Sequence, residues 1–314
     1  MTLAEFLQLD LVPMLAAVLA CVTCGLLGTL LLLTRNSMMG DAISHAVLPG
    51  IAAGFWLTGT RASLPMVAGA MAAAVLAVVL IGTIRRLARL EAGAAMGVVF
   101  SGLFALGLLM LVWSGADRVD LDVDCVLYGI LETLIWPAAT GPASLIDAGA
   151  LAALPPELLL LAGMFAVTVL ALLLFWKELR LAAFDPGFGM VIGFDPRPVR
   201  ALLMLLIAAA CVAAFWAVGS ILVIAALIGP AAIARLLTER YAMQFVLSAA
   251  AGAAIALAGY GVAALLPAAL GAAQGFNAAG MMAVMAGLGF ALAAAVSPFG
   301  PRALRRRRAA ASPG

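Results

Sequence analysis

Apolar runs of roughly span length recur along the chain, and short polar clusters separate them. The runs 11–33, 40–58, 64–84, 92–113, 158–176, 201–218, 220–236, 242–266 and 278–296 each approach the length that a helix needs to cross a bilayer, about 20 residues. They predict an all-α polytopic membrane bundle of nine transmembrane helices. The count falls to eight if the short 220–236 run, which holds Pro230, is broken or re-entrant. Residues 1–300 then form a single membrane domain. Within it, 125–156 mixes aromatic and apolar residues with Gly129, Glu132, Pro137, Gly141 and Pro142, which predicts surface helices and loops. Residues 177–200 read as a polar-to-amphipathic connector between the fifth and sixth spans.

Composition agrees. Of 314 residues, 66% are hydrophobic and 10% charged, with mean hydropathy +1.21. Soluble domains are about half apolar and about a quarter charged, so no block remains for a separate soluble unit. The net charge of +2 matters less than where the cations lie. Arg35, Arg85, Arg86, Arg89, Lys177, Arg180, Arg197, Arg200, Arg235, Arg240 and the four arginines at 305–308 fall on alternate connections. Asp117, Asp120, Asp122 and Asp124 fall on the opposite side. The positive-inside rule then predicts an outer amino terminus and a cytoplasmic carboxyl terminus. The amino terminus lacks a basic region, so no cleavable signal peptide is expected. The tail 301–314 reads as a cytoplasmic anchor to acidic membrane lipid, and no nucleic-acid partner is expected. Cys21 and Cys24 have C-x-x-C spacing, but on an apolar helix two small residues there read as packing.

Ionisable side chains are nearly absent from the apolar runs. Asp41 and His45 (the only histidine) are the exception, four residues apart at the start of the second run. One helical turn places both on one face. A carboxylate at membrane depth costs about 2.5–3.5 kcal/mol on insertion scales, so it needs a partner. Three readings fit: a helix cap bonded locally to His45 or Ser44, a proton relay, and a metal-ligand pair. An imidazole nitrogen with a carboxylate oxygen suits zinc, manganese or ferrous iron. Two ligands do not close a shell, whereas a twofold dimer with these helices facing would supply four. Pro49 and Gly50 interrupt the helix one turn on, and Gly50-Ile-Ala-Ala-Gly54 is a close-packing motif.

The run Met39-Gly-Asp-Ala-Ile-Ser-His-Ala-Val-Leu-Pro-Gly50 resembles the signature of permeases in the zinc/manganese/iron family of ABC importers, the ABC-3 family. Four further matches follow in that family's order: Met96-Gly-Val-Val-Phe-Ser-Gly-Leu-Phe-Ala-Leu-Gly107, Leu127-Tyr-Gly-Ile-Leu131, Lys177-Glu-Leu with Phe184-Asp-Pro186, and the run from Gly219-Ser-Ile-Leu-Val to Gly229-Pro-Ala-Ala-Ile-Ala-Arg235. The resemblance covers about residues 11–297. It implies a multi-pass subunit of the bacterial cytoplasmic (inner) membrane that pairs with a second copy of itself and with a cytoplasmic ATP-binding subunit. A periplasmic or surface-tethered metal-binding protein would deliver the ion. It also implies that Asp41 and His45 contact the metal. The connector would be the coupling helix that docks on the ATPase; it matches at Phe184, Asp185, Pro186 and Gly193, and Gly189 belongs to the same coupling set as a departure. Gly189 stands where the family often has Ala. Tyr128 is commonly Phe there, and Ile130 replaces a frequent Asp or Asn.

The expected function is therefore a permease subunit for Zn, Mn or Fe, working by alternating access, with the metal as cargo and no permanently bound cofactor. No G-x-x-x-x-G-K-[ST] occurs, so the chain is not its own ATPase. Other readings stay open at this point: a permease for a metal chelate or vitamin-sized ligand, a proton-coupled carrier, and an intramembrane enzyme.

Overall fold

The computed structural model describes residues 3–34, 36, 39–58, 63–113, 129, 131–139, 141–270 and 276–297. Among them the ordered elements are all helical. A short α1 (Leu3–Leu9) leads into α2 (Leu11–Leu33), α3 (Met39–Thr58), α4 (Ser63–Leu87) and α5 (Ala92–Trp113). Two 3-10 turns, Leu131–Thr133 and Pro142–Leu145, and a short α6 (Ala148–Ala152) precede α7 (Pro156–Leu174). Next come α8 (Trp176–Phe184), α9 (Pro186–Val191), α10 (Pro196–Leu237), α11 (Tyr241–Leu270) and α12 (Ala278–Val296). Eight stretches are long and apolar enough to cross a membrane, and a shorter apolar one lies at Ala42–Thr58. The signature helix α3 is itself 20 residues long, the length a span needs. The 220–236 run expected to fall short lies within a full-length stretch, Ala217–Leu237.

α10 holds two spans in one helical run, joined at Gly219, whose φ of 75° and ψ of 169° are non-helical. Eight residues before the joint, Cys211 lies in hydrogen-bonding reach of Ser44 on α3. Eight residues after it, Leu227 lies against Gly40 on the same helix, one turn away. A straight helix would put those two residues about 24 Å apart, so the halves run back antiparallel with Gly219 at the tip. Gly129, also at positive φ, meets that tip backbone to backbone: a Cβ there would stand 2.5 Å from the Gly219 nitrogen.

The centre of the bundle is α2, which packs on both α10 and α11, while α12 closes against α10 and α11. α3, α4 and α5 form a panel beside it, and α2 barely touches its sequence neighbour α3. With no hydrophobic force between helices inside a bilayer, small residues set which pairs seat closely. A Cβ at Gly28 would lie 1.8 Å from the Leu227 carbonyl oxygen, and one at Gly50 would lie 2.2 Å from that of Gly69. Gly50-x-x-x-Gly54 seats α3 on α4, as its spacing suggests. Cys21, Cys24 and Cys211 are free buried thiols; Cys125 lies outside the described residues.

Hydrogen bonds mark the two ends. At one, Trp136 N donates to Gln8 O (2.8 Å), Gln8 Nε2 to Ala139 O (2.7 Å), Ala278 N to Glu132 Oε1 (2.7 Å) and Tyr260 OH to Asp10 Oδ1 (2.8 Å). These bonds join the amino terminus, the 131–139 loop and the start of α12. At the other end Ser297 Oγ donates to Leu236 O. There the terminal turns of α4 and of the second half of α10 carry Arg85, Arg86 and Arg235, and α8 with the start of α10 carries Lys177, Arg180, Arg197 and Arg200. This clustering is the one that alternate basic connections require. Arg35, the aspartates 117–124 and the tail 301–314 lie outside the described residues.

Candidate functional site

α3 begins at Met39, whose N–H bonds Asn36 O at 2.9 Å. Ser44 turns its hydroxyl back to Gly40 O at 2.8 Å, and the Cys211 thiol reaches the same side chain from α10. One face of the helix (Ala42, Ile43, Ala46 and Val47) is buried. The stripe His45, Leu48, Ala52 and Phe55 looks toward α5 instead, where Leu48, Ala52 and Phe55 pack with Phe104 and Met110. By register Asp41 belongs to the same stripe; its side chain lies outside the described ones. His45 lies about 9 Å along the helix axis from Met39 at 1.5 Å per residue.

His45 is half-buried, and two rings of α5 flank it. Phe100 lies at 4.9 Å between centroids, tilted by 55°, and Phe104 at 5.4 Å, edge-on at 82°. Spaced four residues apart, the two phenylalanines stack on each other at 6.0 Å. They wall the imidazole on one side with apolar edges, which strengthens any charge interaction it makes. In the sequence Phe100 and Phe104 stand within the 96–107 motif, which assigns them no role. Their one-turn spacing, matched to His45 and Leu48 on α3, was the available signal. Further out, Gly107 lets Pro49 approach: a Cβ there would stand 2.7 Å from the Pro49 nitrogen.

Among the described residues no group of three His, Cys, Asp or Glu could hold a metal. An apolar cleft of about 570 Å³ runs between α3, α4 and α5, touching Pro49, Gly69, Leu103 and Met110 but not His45. The polar chemistry and this cleft are separate features.

The second cluster of candidate residues forms the connector, where the chain takes two short helices. The fifth span ends at Leu174, and Trp176 starts α8. Asp185 caps α9 by accepting from Phe188 N at 2.8 Å, with Pro186 at the first helical position. The other end closes with Phe194 N bonded to Gly189 O (2.9 Å) and Gly193 N to Met190 O (3.2 Å). Gly193 sits at φ 84°, the left-handed conformation that this paired closure requires. A Cβ on Gly189 would stand 3.1 Å from the Phe194 ring, which gives the glycine found in place of alanine a packing reason. Phe184, Phe188, Met190, Val191 and Ile192 are all exposed, up to 84% at Val191. Tyr128 and Ile130 lie outside the described residues.

Comparison with known proteins fits this architecture. Residues 6–135 and 148–296 match the model of the ABC 3 transport family. The manganese transport system membrane protein MntD of Bacillus subtilis is 35% identical over 90% of each chain. The zinc transport system membrane protein TroD of Treponema pallidum is 36% identical, over 90% of this chain and 73% of its own. PsaBC from Streptococcus pneumoniae, solved in complex with a Fab, superposes with a TM-score of 0.74 at 25% identity over 94% of each chain. The chain belongs to the ABC 3 transport family.

Proposed function

We propose that the chain is the membrane-spanning half of an ATP-driven importer of divalent metal, with Asp41 and His45 as the groups that hold the ion in passage. The observation that carries this reading is the half-buried His45 on the opening turns of α3, beside apolar rings and on the same helix face as Asp41. An imidazole and a carboxylate suit manganese, zinc and ferrous iron alike, and relatives named for manganese and zinc are similar over most of the chain. A second copy across a twofold axis would bring the ligand number to four. An incomplete shell per copy suits an ion that must leave again.

The basic end faces the cytoplasm in this reading, and the amino terminus lies outside. The α9 connector, with its exposed Phe188, Met190, Val191 and Ile192, is the surface on which an ATP-binding subunit would sit. A metal-binding protein would deliver the ion at the opposite end. The residues set for docking are Phe184, Asp185, Pro186, Gly189 and Gly193, the last three shaping α9 and its closure.

Uptake of radiolabelled manganese, zinc and ferrous iron by cells lacking their own importers tests the assignment. His45→Ala and Asp41→Ala should abolish uptake while leaving membrane insertion unchanged; normal uptake by both variants refutes the site. A chelate permease is the second reading, favoured by a 35% identical relative named for chelated iron transport, YfeD of Yersinia pestis. It predicts the reverse, with both residues dispensable and uptake only of the complexed ion.

A further inference from the structure

Three residues on α8 fall at one-turn spacing, Trp176, Arg180 and Phe184, and all three meet Tyr241, the first residue of α11. The ring centroids lie 4.7 Å apart for Trp176 and 5.7 Å apart for Phe184, with the Arg180 guanidinium carbon 5.9 Å above the Tyr241 ring. Phe245, one turn along α11, closes the cluster at 5.1 Å from Trp176 and 5.0 Å from Tyr241. Tyr241 is 8% exposed, and its hydroxyl is buried without a hydrogen-bond partner. The ring alone therefore makes the contact.

α9 follows α8 after the single residue Asp185, whose carboxylate caps it, so a force on α9 reaches α8 directly. On the other side, glycines seat α11 on two neighbours. A Cβ at Gly252 would lie 2.8 Å from the Cys21 carbonyl oxygen of α2, and one at Gly259 would lie 2.5 Å from the Met282 Cα of α12. Such packing makes α2, α11 and α12 a body that moves as one, since close-packed interfaces shift between discrete arrangements rather than deform. α10 packs on all three of these helices and is their link to α3, the helix bearing His45, which α2 itself barely touches.

We propose that Tyr241 is the positioning residue through which displacement of the α8–α9 connector is passed to the α2–α11–α12 body, so that this body shifts against the His45 panel. The assignment rests on the importer reading above. Trp176, Phe184 and Arg180 grip the Tyr241 ring from one helix, and Phe245 backs it from the other. The grip is van der Waals and cation–π contact, which transmits a push without fixing a hydrogen-bond register.

The test uses the full chain reconstituted in liposomes with its ATP-binding subunit and metal-binding protein, with manganese or zinc as the probe. ATP hydrolysis and cation uptake are measured together. Tyr241→Ala should leave hydrolysis near the unaltered rate and lower the cations moved per ATP by about 2- to 30-fold, the range that residues along a coupling route produce. Tyr241→Phe, which keeps the ring and loses only an unpaired hydroxyl, should keep the unaltered ratio. If Tyr241→Ala does not assemble, Tyr241→Leu keeps apolar bulk without the ring and carries the same expectation. An unaltered ratio in the Ala or Leu variant overturns the proposal, as does a Phe variant as uncoupled as Ala. Absence of uptake by the unaltered chain would instead overturn the importer reading itself.

Discussion

α2 and α5 are near twins as sequences and opposites as parts of the molecule. Their apolar windows have mean hydropathies of 2.4 and 2.0, yet 72% of the first window is buried and only 22% of the second. Lipid tails are as apolar as leucine, so hydropathy cannot say which helix is central. What separates them is where their glycines point. Gly25 and Gly28 of α2 meet Pro230, Ser248 and the Leu227 backbone, whereas Gly93, Gly97 and Gly102 of α5 have nothing within 4 Å. A central helix needs small residues at every neighbour's approach; a panel helix needs them only on its seam.

Gly28→Ala should produce the largest loss. Its Cβ would stand 1.8 Å from a backbone carbonyl oxygen, which no side-chain rotation relieves, so α2 and α10 must part. Overpacking of this kind costs about 3 kcal/mol, more than the roughly 1 kcal/mol that alanine gains over glycine in a helix. A clear fall in melting temperature in detergent is expected. Melting unchanged would mean that the two helices are not seated this closely.

Gly219→Ala comes next, since it strikes the tip about which the two halves of α10 fold back. At φ 75° and ψ 169° the backbone lies where only glycine is comfortable, and strain of about 1–3 kcal/mol follows. The same residue crowds Gly129, so the loss should show both in melting and in easier proteolysis of the 131–145 loop. An alanine tolerated without change would remove the tight tip.

Much of this was legible in the residues. Span positions followed from runs of apolar residues, because a bilayer imposes length directly, and the basic end followed from Arg85, Arg86, Lys177 and Arg235. The 201–218 and 220–236 runs read as two spans and are two, though one helical run carries both. What sequence could not say was which helices are central, because Gly28 and Gly97 look alike until their neighbours are placed. Nor did it give the α9 closure. Gly193 and Phe194 are read only once the helix before them is known, and the residues of 184–193 mark no more than a polar-to-amphipathic connector. His45 stood out as a lone imidazole; its aromatic flank did not, since Phe100 and Phe104 are ordinary in an apolar span.

Within α5, Gly107 is the described glycine that does meet a neighbour, and it gives a finer comparison. Its Cβ would stand 2.7 Å from the Pro49 nitrogen and 3.0 Å from Leu48 Cγ. α3 runs unbroken through Pro49, not interrupted there as the sequence suggests, but that nitrogen carries no hydrogen and donates no helix bond, so the panel can yield partway. Gly107→Ala should cost about 1 kcal/mol, less than Gly28→Ala. Because Leu48 belongs to the stripe of His45, the variant should also slow cation uptake. A loss as large as that of Gly28→Ala would place α5 on the same footing as α2 and dissolve the contrast.

Gly97→Ala should have the smallest effect and the most telling one. Nothing in a single copy stands within 4 Å of the added Cβ, and alanine is the better helix former by roughly 1 kcal/mol. Melting of the detergent-solubilised single copy should therefore hold or rise slightly. Repeating the measurement on protein kept in membranes separates two accounts of the open face. If Gly97→Ala is silent there too, lipid covers α5 and its glycines contribute nothing to close packing. If the variant weakens association or transport only in the membrane, a second helix seats on Gly97, and the difference between α2 and α5 lies in which copy of the chain supplies the neighbour.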